Sequence, residues 1–229
     1  MGWFRFKETD SREYGILISS VPERVRPERR VKEIKIPGRS GNLTQDEETY
    51  DAYVISMECS TRGSDRMDEI ITWLNGAGDL TLSTEPDKVY QASIYNKISI
   101  SDQIYLYNSF LLQFKVQPFK YNINPFADEL TLTAQTIIRN GGTVYSEPII
   151  TVYGSGDITL TINEKDFPLY SVDGSITIDS EMMEVFKGTA NQNSKYGGET
   201  FPRLEVGENA ISWTGNVSRV EIQPKWRWL

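Results

Sequence analysis

SDRMDEIITWLN, at residues 64–75, is the segment with the clearest helical period in the chain. Its apolar residues follow the i, i+3, i+4, i+7 spacing of one helix face: Met67, Ile70, Ile71 and Leu74. Ser64 can cap the start of this helix, and Gly76 can adopt the left-handed conformation that ends it. We predict an amphipathic helix over these residues, with Trp73 packed in the core beside the apolar stripe.

The segments around the helix alternate in the period of a β-strand. Residues 50–57 show this best, because Tyr53, Ile55 and Met57 fall on one side of the predicted strand. The strands predicted for this half are 4–6, 14–18, 32–36, 50–57, 80–83, 89–95, 104–107 and 110–116. One helix within a β-rich order predicts an α+β domain.

The second half shows no convincing helix. Its predicted strands are 131–138, 149–152, 158–162, 175–178, 183–186, 210–213, 217–222 and 226–229. We interpret residues 140–142 and 173–174 as hairpin turns, and 154–156 as a further turn. This order predicts a β-sandwich. Pro118 and Pro125 interrupt the pattern, so we predict a boundary at 122–128 and domains at 1–125 and 126–229.

Histidine is absent from the chain, and Cys59 is its single cysteine. These counts exclude a Ser-His-Asp triad, a Cys-His pair, an imidazole metal site, an internal disulfide and a thiolate cluster. Cys59 falls in an alternating strand beside Met57, so we interpret it as a small buried hydrophobic residue. We therefore expect no catalytic residue, no cofactor and no metal site.

The net charge of −8 is unevenly distributed. Residues 1–125 carry 16 basic and 18 acidic side chains, a net of −2, and residues 126–229 carry 8 and 14, a net of −6. The basic stretch 24–39 has no interleaved aromatic residues, which favours a subunit contact or a solvated strand over a nucleic-acid surface. A signal-peptide h-region and an apolar run of about 20 residues are also missing, so we expect cytoplasmic synthesis without membrane insertion.

Seven short signatures occur along the chain in a fixed order. The first half contains IKIPGRSG (34–41), WLNGAGDL (73–80), EPDKVY (85–90) and VQPFKY (116–121). The second half contains ITIDS (176–180), FPRL (201–204) and GENAI (207–211). In this order and spacing they resemble the distal tail protein of long-tailed, non-contractile bacteriophages or prophages. The resemblance extends from Phe4 to Leu229.

This resemblance implies a mainly β fold and a structural role without enzymatic activity. The domain at 1–125 would be tail-tube-like and form a homohexameric ring, and the domain at 126–229 would be a galectin-like β-sandwich that points outward. The implied partners are the tail-tube protein, a tail-tip protein similar to tail-associated lysins, and receptor-binding proteins. The implied location is the virion tail tip after assembly in the host cytoplasm, with DNA only passing through the ring channel.

The connection between the predicted strands 32–36 and 50–57 is long for a hairpin, at about 13 residues. It contains glycine but lacks the Gly-Lys-Ser/Thr ending of a phosphate-binding loop. The resemblance places it in the region through which neighbouring subunits clasp each other. We predict a subunit-interface arm with these candidate residues: Ile36, Pro37, Gly38, Arg39, Leu43 and Tyr50.

Three other functions stay open. A carboxylate glycosidase would need an acidic pair across a cleft, and Asp179 with Glu181 or Glu47 with Glu48 are the candidate pairs. A lectin-like tail adhesin would need an exposed aromatic platform, although we expect most of the second half's aromatic residues in the core: Tyr196, Phe201, Trp213, Trp226 and Trp228. A tail-tube subunit would lack the second domain.

Overall fold

Two compact units make up the protein, residues 1–123 with 229 and residues 124–228. The computed structural model describes residues 2–20, 22–62, 66–96, 107–124 and 128–229. Both units consist mainly of β-strands, which confirms the predicted fold class. Each unit has its own hydrophobic core.

The first unit contains strands β1 to β9: β1 (Phe4–Phe6), β2 (Thr9–Asp10), β3 (Ile16–Ile18), β4 (Arg29–Lys35), β5 (Asn42–Tyr50), β6 (Tyr53–Arg62), β7 (Ala77–Leu82), β8 (Glu85–Ile94) and β9 (Tyr107–Asn122). An antiparallel sheet runs in the order β2-β1-β7-β8-β9-β6-β3. Its buried face carries the residues predicted by the alternation, including Phe4, Phe6, Ile55 and Met57. Strands β4 and β5 form a separate antiparallel pair.

Helix α1 (Met67–Trp73) is shorter than predicted, and Ser64 lies outside the described residues. Ile70 and Leu74 are buried, but Ile71 is 46% exposed, so its placement in the apolar stripe was wrong. A helix of two turns covers only a narrow strip of sheet, and Trp73 fills the neighbouring place in the core. Trp73 stacks on Phe4 with ring centroids 5.6 Å apart, which confirms its predicted core position.

Strand β9 continues through Pro118, where the sequence predicted a break. The register of β9 against β8 shifts between the pairs Tyr90–Lys120 and Ala92–Val116, so residues 117–119 form a bulge. The missing N–H of proline is tolerated at a bulge because the hydrogen-bond ladder is already interrupted there. The two compact units divide between residues 123 and 124.

Strand bounds also differ from the prediction at the start of β3 and within residues 131–138. Tyr14, predicted as the first residue of a strand, instead ends a 3₁₀ turn (Ser11–Tyr14), which Asp10 caps by accepting a hydrogen bond from the backbone N–H of Arg12. The predicted strand 131–138 is divided into β10 (Leu130–Leu132) and β11 (Thr136–Asn140). The predicted strand 104–107 lies almost entirely outside the described residues.

The second unit is a curled sheet of long strands. After β10 and β11 come β12 (Ile149–Ile162), β13 (Lys165–Asp179), β14 (Glu184–Lys187), β15 (Ala190–Asn191) and β16 (Gly207–Gln223), and the short strand β17 (Arg227–Trp228) lies outside this sheet. The order is β10-β16-β12-β13-β14-β15, and β11 also pairs with β16. A short 3₁₀ turn (Asn193–Lys195) follows β15.

Glycines mark bends inside these long strands, whereas the sequence interpretation placed turns at 154–156 and 173–174. Gly154 pairs with Gly174 across β12 and β13, and the ladder shifts register between Gly156 and Ile158. A Cβ atom on Gly154 would lie 2.2 Å from the carbonyl oxygen of Asn216 on β16. Because glycines carry no side chain, β12, β13 and β16 can approach closely at this place and bend together.

Candidate functional site

The predicted arm is a β-hairpin, made of β4 and β5. These strands pair antiparallel with each other, and within the described ranges neither joins another strand. The long loop predicted up to residue 49 was therefore wrong, because residues 42–50 form β5. Nearly every residue of both strands is exposed, so the sequence lacks the alternation that one buried face imposes.

A tight turn at residues 36–39 closes the outer end of the arm. The N–H of Arg39 donates to the carbonyl oxygen of Ile36 at 3.2 Å, and Gly38 has a φ of 80°. Proline at the second position and a glycine with positive φ at the third are the requirements of a type II turn. Four of the predicted residues, Ile36 to Arg39, thus meet at the arm tip.

The two faces of the arm differ in chemistry. Ile34 pairs directly with Leu43, and Lys32 pairs with Gln45, which puts these side chains on one face. Leu43 is 48% exposed and Ile36 is 38% exposed, an unusual position for large apolar groups. We name the face of Lys32, Ile34, Leu43 and Gln45 the apolar face of the arm.

The opposite face carries mostly polar side chains, several of which bond within the hairpin, together with exposed Val31. The side-chain amide of Asn42 donates to Glu33 at 2.6 Å, and Arg29 forms an ion pair with Asp46 at 2.7 Å. The predicted arm began at Ile34 and did not include Lys32. The two-residue spacing of Lys32 with Ile34 and Ile36 was the signal that could have identified it.

Tyr50 lies at the root of the arm, away from the five other predicted residues. Its ring contacts Phe119 of β9 edge-on, with centroids 5.9 Å apart, and the guanidinium of Arg29 lies 5.9 Å from its centroid. Tyr50 therefore fixes the direction in which the arm leaves the sheet. Its prediction as part of β6 was wrong, since it ends β5.

A bulge near the root sets the geometry of the arm. Between the pairs Arg29–Tyr50 and Val31–Asp46 the register shifts, and Glu48 has a φ of 55°. The N–H of Glu48 donates to Asp46 at 2.8 Å, and this bond together with Arg29 lowers the pKa of Asp46. Glu48 thus serves the bulge, and Glu47 and Glu48 lie on an exposed strand rather than in a cleft.

The acidic pair Asp179 and Glu181 has structural contacts. The carboxylate of Asp179 accepts hydrogen bonds from the N–H groups of Glu181 and Met182, at 3.1 and 3.0 Å. Glu181 forms an ion pair with Lys225 at 2.8 Å. Asp179 therefore holds the turn after β13, and this arrangement favours the structural interpretation over paired acid–base chemistry.

The aromatic residues of the second unit lie mostly in or against its core, as predicted. Tyr196, Phe201, Trp213 and Trp228 pack on the core cluster, and Trp226 is only 9% exposed. Phe201 stacks on Tyr196 with ring centroids 4.8 Å apart. A cleft of about 520 Å³ opens beside Phe201, but the stacking covers one of the ring faces that a sugar would need.

Cys59 is fully buried in the first core, which confirms its predicted role as a small hydrophobic residue. Burial raises the pKa of its thiol to about 12. A thiol in this state is a poor nucleophile at neutral pH. Within the described part of the chain, acidic residues and Cys59 do not gather into a cluster that could hold a metal ion.

Comparison with solved structures gives a match over the full length. SPP1 Dit (gp 19.1), described as a paradigm of the hub adsorption apparatus in phages that infect Gram-positive bacteria, superimposes with a TM-score of 0.74. The match covers 100% of both chains at 16% sequence identity. The chain has the Dit fold. The sequence itself matches no protein-family model and no curated protein.

The Dit fold confirms the resemblance found in the sequence signatures, at the level of structure. At 16% identity the shared architecture does not carry individual residues from one protein to the other. Helices in the described ranges are too short to span a membrane. The arm exposes large apolar groups to solvent, so it is the feature of this Dit-fold chain that calls for a functional explanation.

Proposed function

We propose that this protein is a structural distal tail protein that forms a homohexameric ring at the tip of a phage tail. The ring would join the tail tube to the tail-tip and host-adhesion proteins. The exposed arm is the observation that carries this proposal. An isolated two-stranded hairpin is marginally stable in water, so an arm with exposed Ile36 and Leu43 gains stability when another chain covers it.

A ring is consistent with an arm that extends from one side of the subunit only. A hairpin that leaves one subunit and is covered by a different surface of the next makes a head-to-tail contact, and such contacts close into rings when the rotation allows. The first unit would form this ring, and the second unit would remain on its outside. Both roles follow from the sequence resemblance and are supported by the shared fold.

The solvent face of the first sheet suits a channel for DNA. On β7, β8 and the neighbouring part of β9, the side chains that alternate with the buried ones are largely uncharged and polar: Gln91, Ser93, Gln113 and Gln117. Lys115 and Asp79 add few charges to this part of the face, so it lacks the basic surplus that would bind phosphates. We propose that this face lines the path along which DNA leaves.

The second unit is the proposed docking surface for other tail proteins. Its net charge of −6 over residues 126–229 would repel acidic cell-wall polymers and favour partners with basic surfaces. Its aromatic residues are largely committed to the core, which supports docking of proteins over binding of glycans. The proposed partners are the tail-tube protein, the tail-tip protein and receptor-binding proteins.

Shortening the arm tests the ring directly. Val31 and Asp46 lie opposite each other, so residues 32–45 can be replaced by Asn-Gly, which closes a two-residue hairpin turn. The ion pair of Arg29 with Asp46 is preserved by this design. We expect the variant to fold and to remain monomeric, whereas the complete chain assembles towards six times 26.1 kDa.

Sedimentation over a range of concentrations measures the assembly, and circular dichroism with thermal melting checks the fold. Gly141→Ala is a matched control because a Cβ there meets no neighbouring atom. A complete chain that stays monomeric or strictly dimeric at every concentration would contradict the ring. Global unfolding of the shortened variant would show that the arm belongs to the core.

A further inference from the structure

A groove opens on the first unit at the root of the arm. Its volume is about 330 Å³, and its walls come from residues 20, 22, 23 and 25, from β6 and from Leu111 of β9. Val25 and Leu111 lie in it, and each is 45% exposed. Polar groups make up more of the exposed lining than apolar ones, so the groove is a mixed surface with two exposed apolar side chains on the unit that would form the ring.

Two carboxylates flank this groove. Glu58 pairs directly with Leu111 across β6 and β9, and Glu23 lies on the facing segment. Neither carboxylate has an ion-pair partner among the described residues, and the groove lining contains no lysine or arginine. The groove therefore combines the exposed side chains of Val25 and Leu111 with two carboxylates that have no ion-pair partner among the described residues.

The apolar face of the arm has the complementary character. Ile34 and Leu43 form its apolar centre, and Lys32 stands beside them on the same face. Lys32 has no ion-pair partner in the described ranges, and neither does Arg39 in the turn at the tip, whereas Glu33 of the opposite face accepts from Asn42. The outer half of the arm thus presents apolar groups next to unpaired positive charge.

The arm cannot reach the groove of its own chain. Its strand β4 has seven residues, and a strand rises about 3.3 Å per residue, so the tip lies roughly 20 Å from the root. The groove adjoins that root, because residue 25 precedes β4 by only a few positions and β6 begins shortly after Tyr50. A paired hairpin is too stiff to fold back over this distance, so a second copy must supply the arm.

We propose that the groove formed by residues 20, 22, 23 and 25, by β6 and by Leu111 of β9 receives the apolar face of the arm from a second copy of this chain. Lys32 of the incoming arm lies against Glu58 or Glu23, and Ile34 and Leu43 cover Val25 and Leu111. This inference rests on the proposed ring and adds the surface that closes it. Groove and arm differ, so each chain offers both halves of the head-to-tail contact.

Reciprocal charge reversal tests the pairing. Lys32→Glu alone places like charges together and should weaken assembly about tenfold per contact, and Glu58→Lys alone should do the same. Lys32→Glu with Glu58→Lys in one chain restores an opposite pair and should recover most of the wild-type association. Sedimentation measures the constants, and thermal melting confirms that these exposed substitutions leave the fold intact.

Cysteine pairs give an independent readout. Leu43→Cys with Leu111→Cys should yield, on oxidation, a ladder of covalently linked oligomers on a denaturing gel. Thr44→Cys with Leu111→Cys is the matched control, since Thr44 lies on the polar face of the arm. The buried thiol of Cys59 does not take part.

The outcomes separate this inference from the ring itself. A wild-type chain that never assembles contradicts both. Where the wild-type chain assembles, two results overturn the groove and leave the ring standing. In the first, the single charge reversals leave the association constant unchanged. In the second, the double variant loses as much association as both single variants together. Equal ladders from the two cysteine pairs also overturn the groove as the receiving surface.

Discussion

Two hairpins in this protein have the same hydrogen-bond pattern and opposite surroundings. The arm pairs β4 with β5, and the centre of the second unit pairs β12 with β13. Ile150, Val152 and Leu160 of β12 are fully buried, whereas every residue of β4 except half-buried Ile34 is exposed. The ladder alone therefore does not determine stability, because a lone hairpin needs an apolar face that something covers.

This difference assigns the two hairpins different tasks. Burying an aliphatic side chain contributes about 1.5–3 kcal/mol, and β12 and β13 bury many of them inside one chain. The arm buries almost nothing by itself and keeps its apolar face for a partner. Substitutions in β12 should change the free energy of unfolding, and substitutions in the arm should change association.

The largest effect is expected for Leu160→Ala. Leu160 is fully buried in β12, and removing a buried leucine side chain costs about 2–5 kcal/mol because a cavity remains. We expect the free energy of unfolding of the second unit to fall by this amount in urea titrations followed by tryptophan fluorescence. A loss below about 1 kcal/mol would mean that this hairpin is packed as loosely as the arm.

Gly154→Ala should have the next largest effect. The new Cβ would meet the carbonyl oxygen of Asn216 at 2.2 Å, and that oxygen belongs to the backbone of β16 and cannot turn aside. We expect a loss of about 1–3 kcal/mol in the free energy of unfolding. Gly141→Ala, where nothing lies within 4 Å, is the control, and equal losses at both positions would refute the bend.

Acid should distinguish a partly buried carboxylate from an exposed one on the arm. Burial alone would raise the pKa of Glu85, but hydrogen bonds from Tyr90 and Lys120 outweigh burial and lower it below 4.5. A carboxylate with a lowered pKa in the folded state stabilises the fold above its unfolded pKa, and this stabilisation is lost as the pH falls. The first unit should therefore lose stability below about pH 4.5.

Glu85→Gln should flatten this acid dependence in thermal melts recorded between neutral and acid pH. Asp46→Asn is the comparison on the arm, since the pKa of Asp46 is also lowered but its carboxylate is exposed. Salt and water screen such a group, so its removal should leave the acid dependence of unfolding unchanged. An identical response of the two variants would contradict the assignment.

The smallest effect on stability is expected for Leu43→Ala. Leu43 is 48% exposed, so the free energy of unfolding should change by no more than about 0.5 kcal/mol. Association should weaken nonetheless, because Leu43 and Ile34 form the apolar centre of the arm. Thr44→Ala on the polar face should leave association unchanged, and sedimentation compares the two. A stability loss at Leu43 similar to that at Leu160 would abolish the contrast between the hairpins.

The arm was predicted as an interface from its signature and length, and four of its six candidate residues meet in one turn. Their geometry was readable because Pro37 and Gly38 dictate a type II turn at Ile36–Arg39. Strand β5 was not readable, since a strand with two exposed faces carries no hydrophobic period. Tyr50 could not be placed at the root without knowing its contact with Phe119.

Some features were determined by the sequence itself, because they follow from local residue patterns. These are the strand alternation of Ile55 and Met57, the core position of Cys59, and the mainly β composition of both units. The tertiary structure alone decided where glycines act as bends instead of turns. Gly154 and Gly174 have the same local signal as a hairpin turn, and only their pairing across β12 and β13 makes them a bend. It also decided that Ile71 faces solvent, because burial depends on what a neighbouring element covers and not on spacing along the chain.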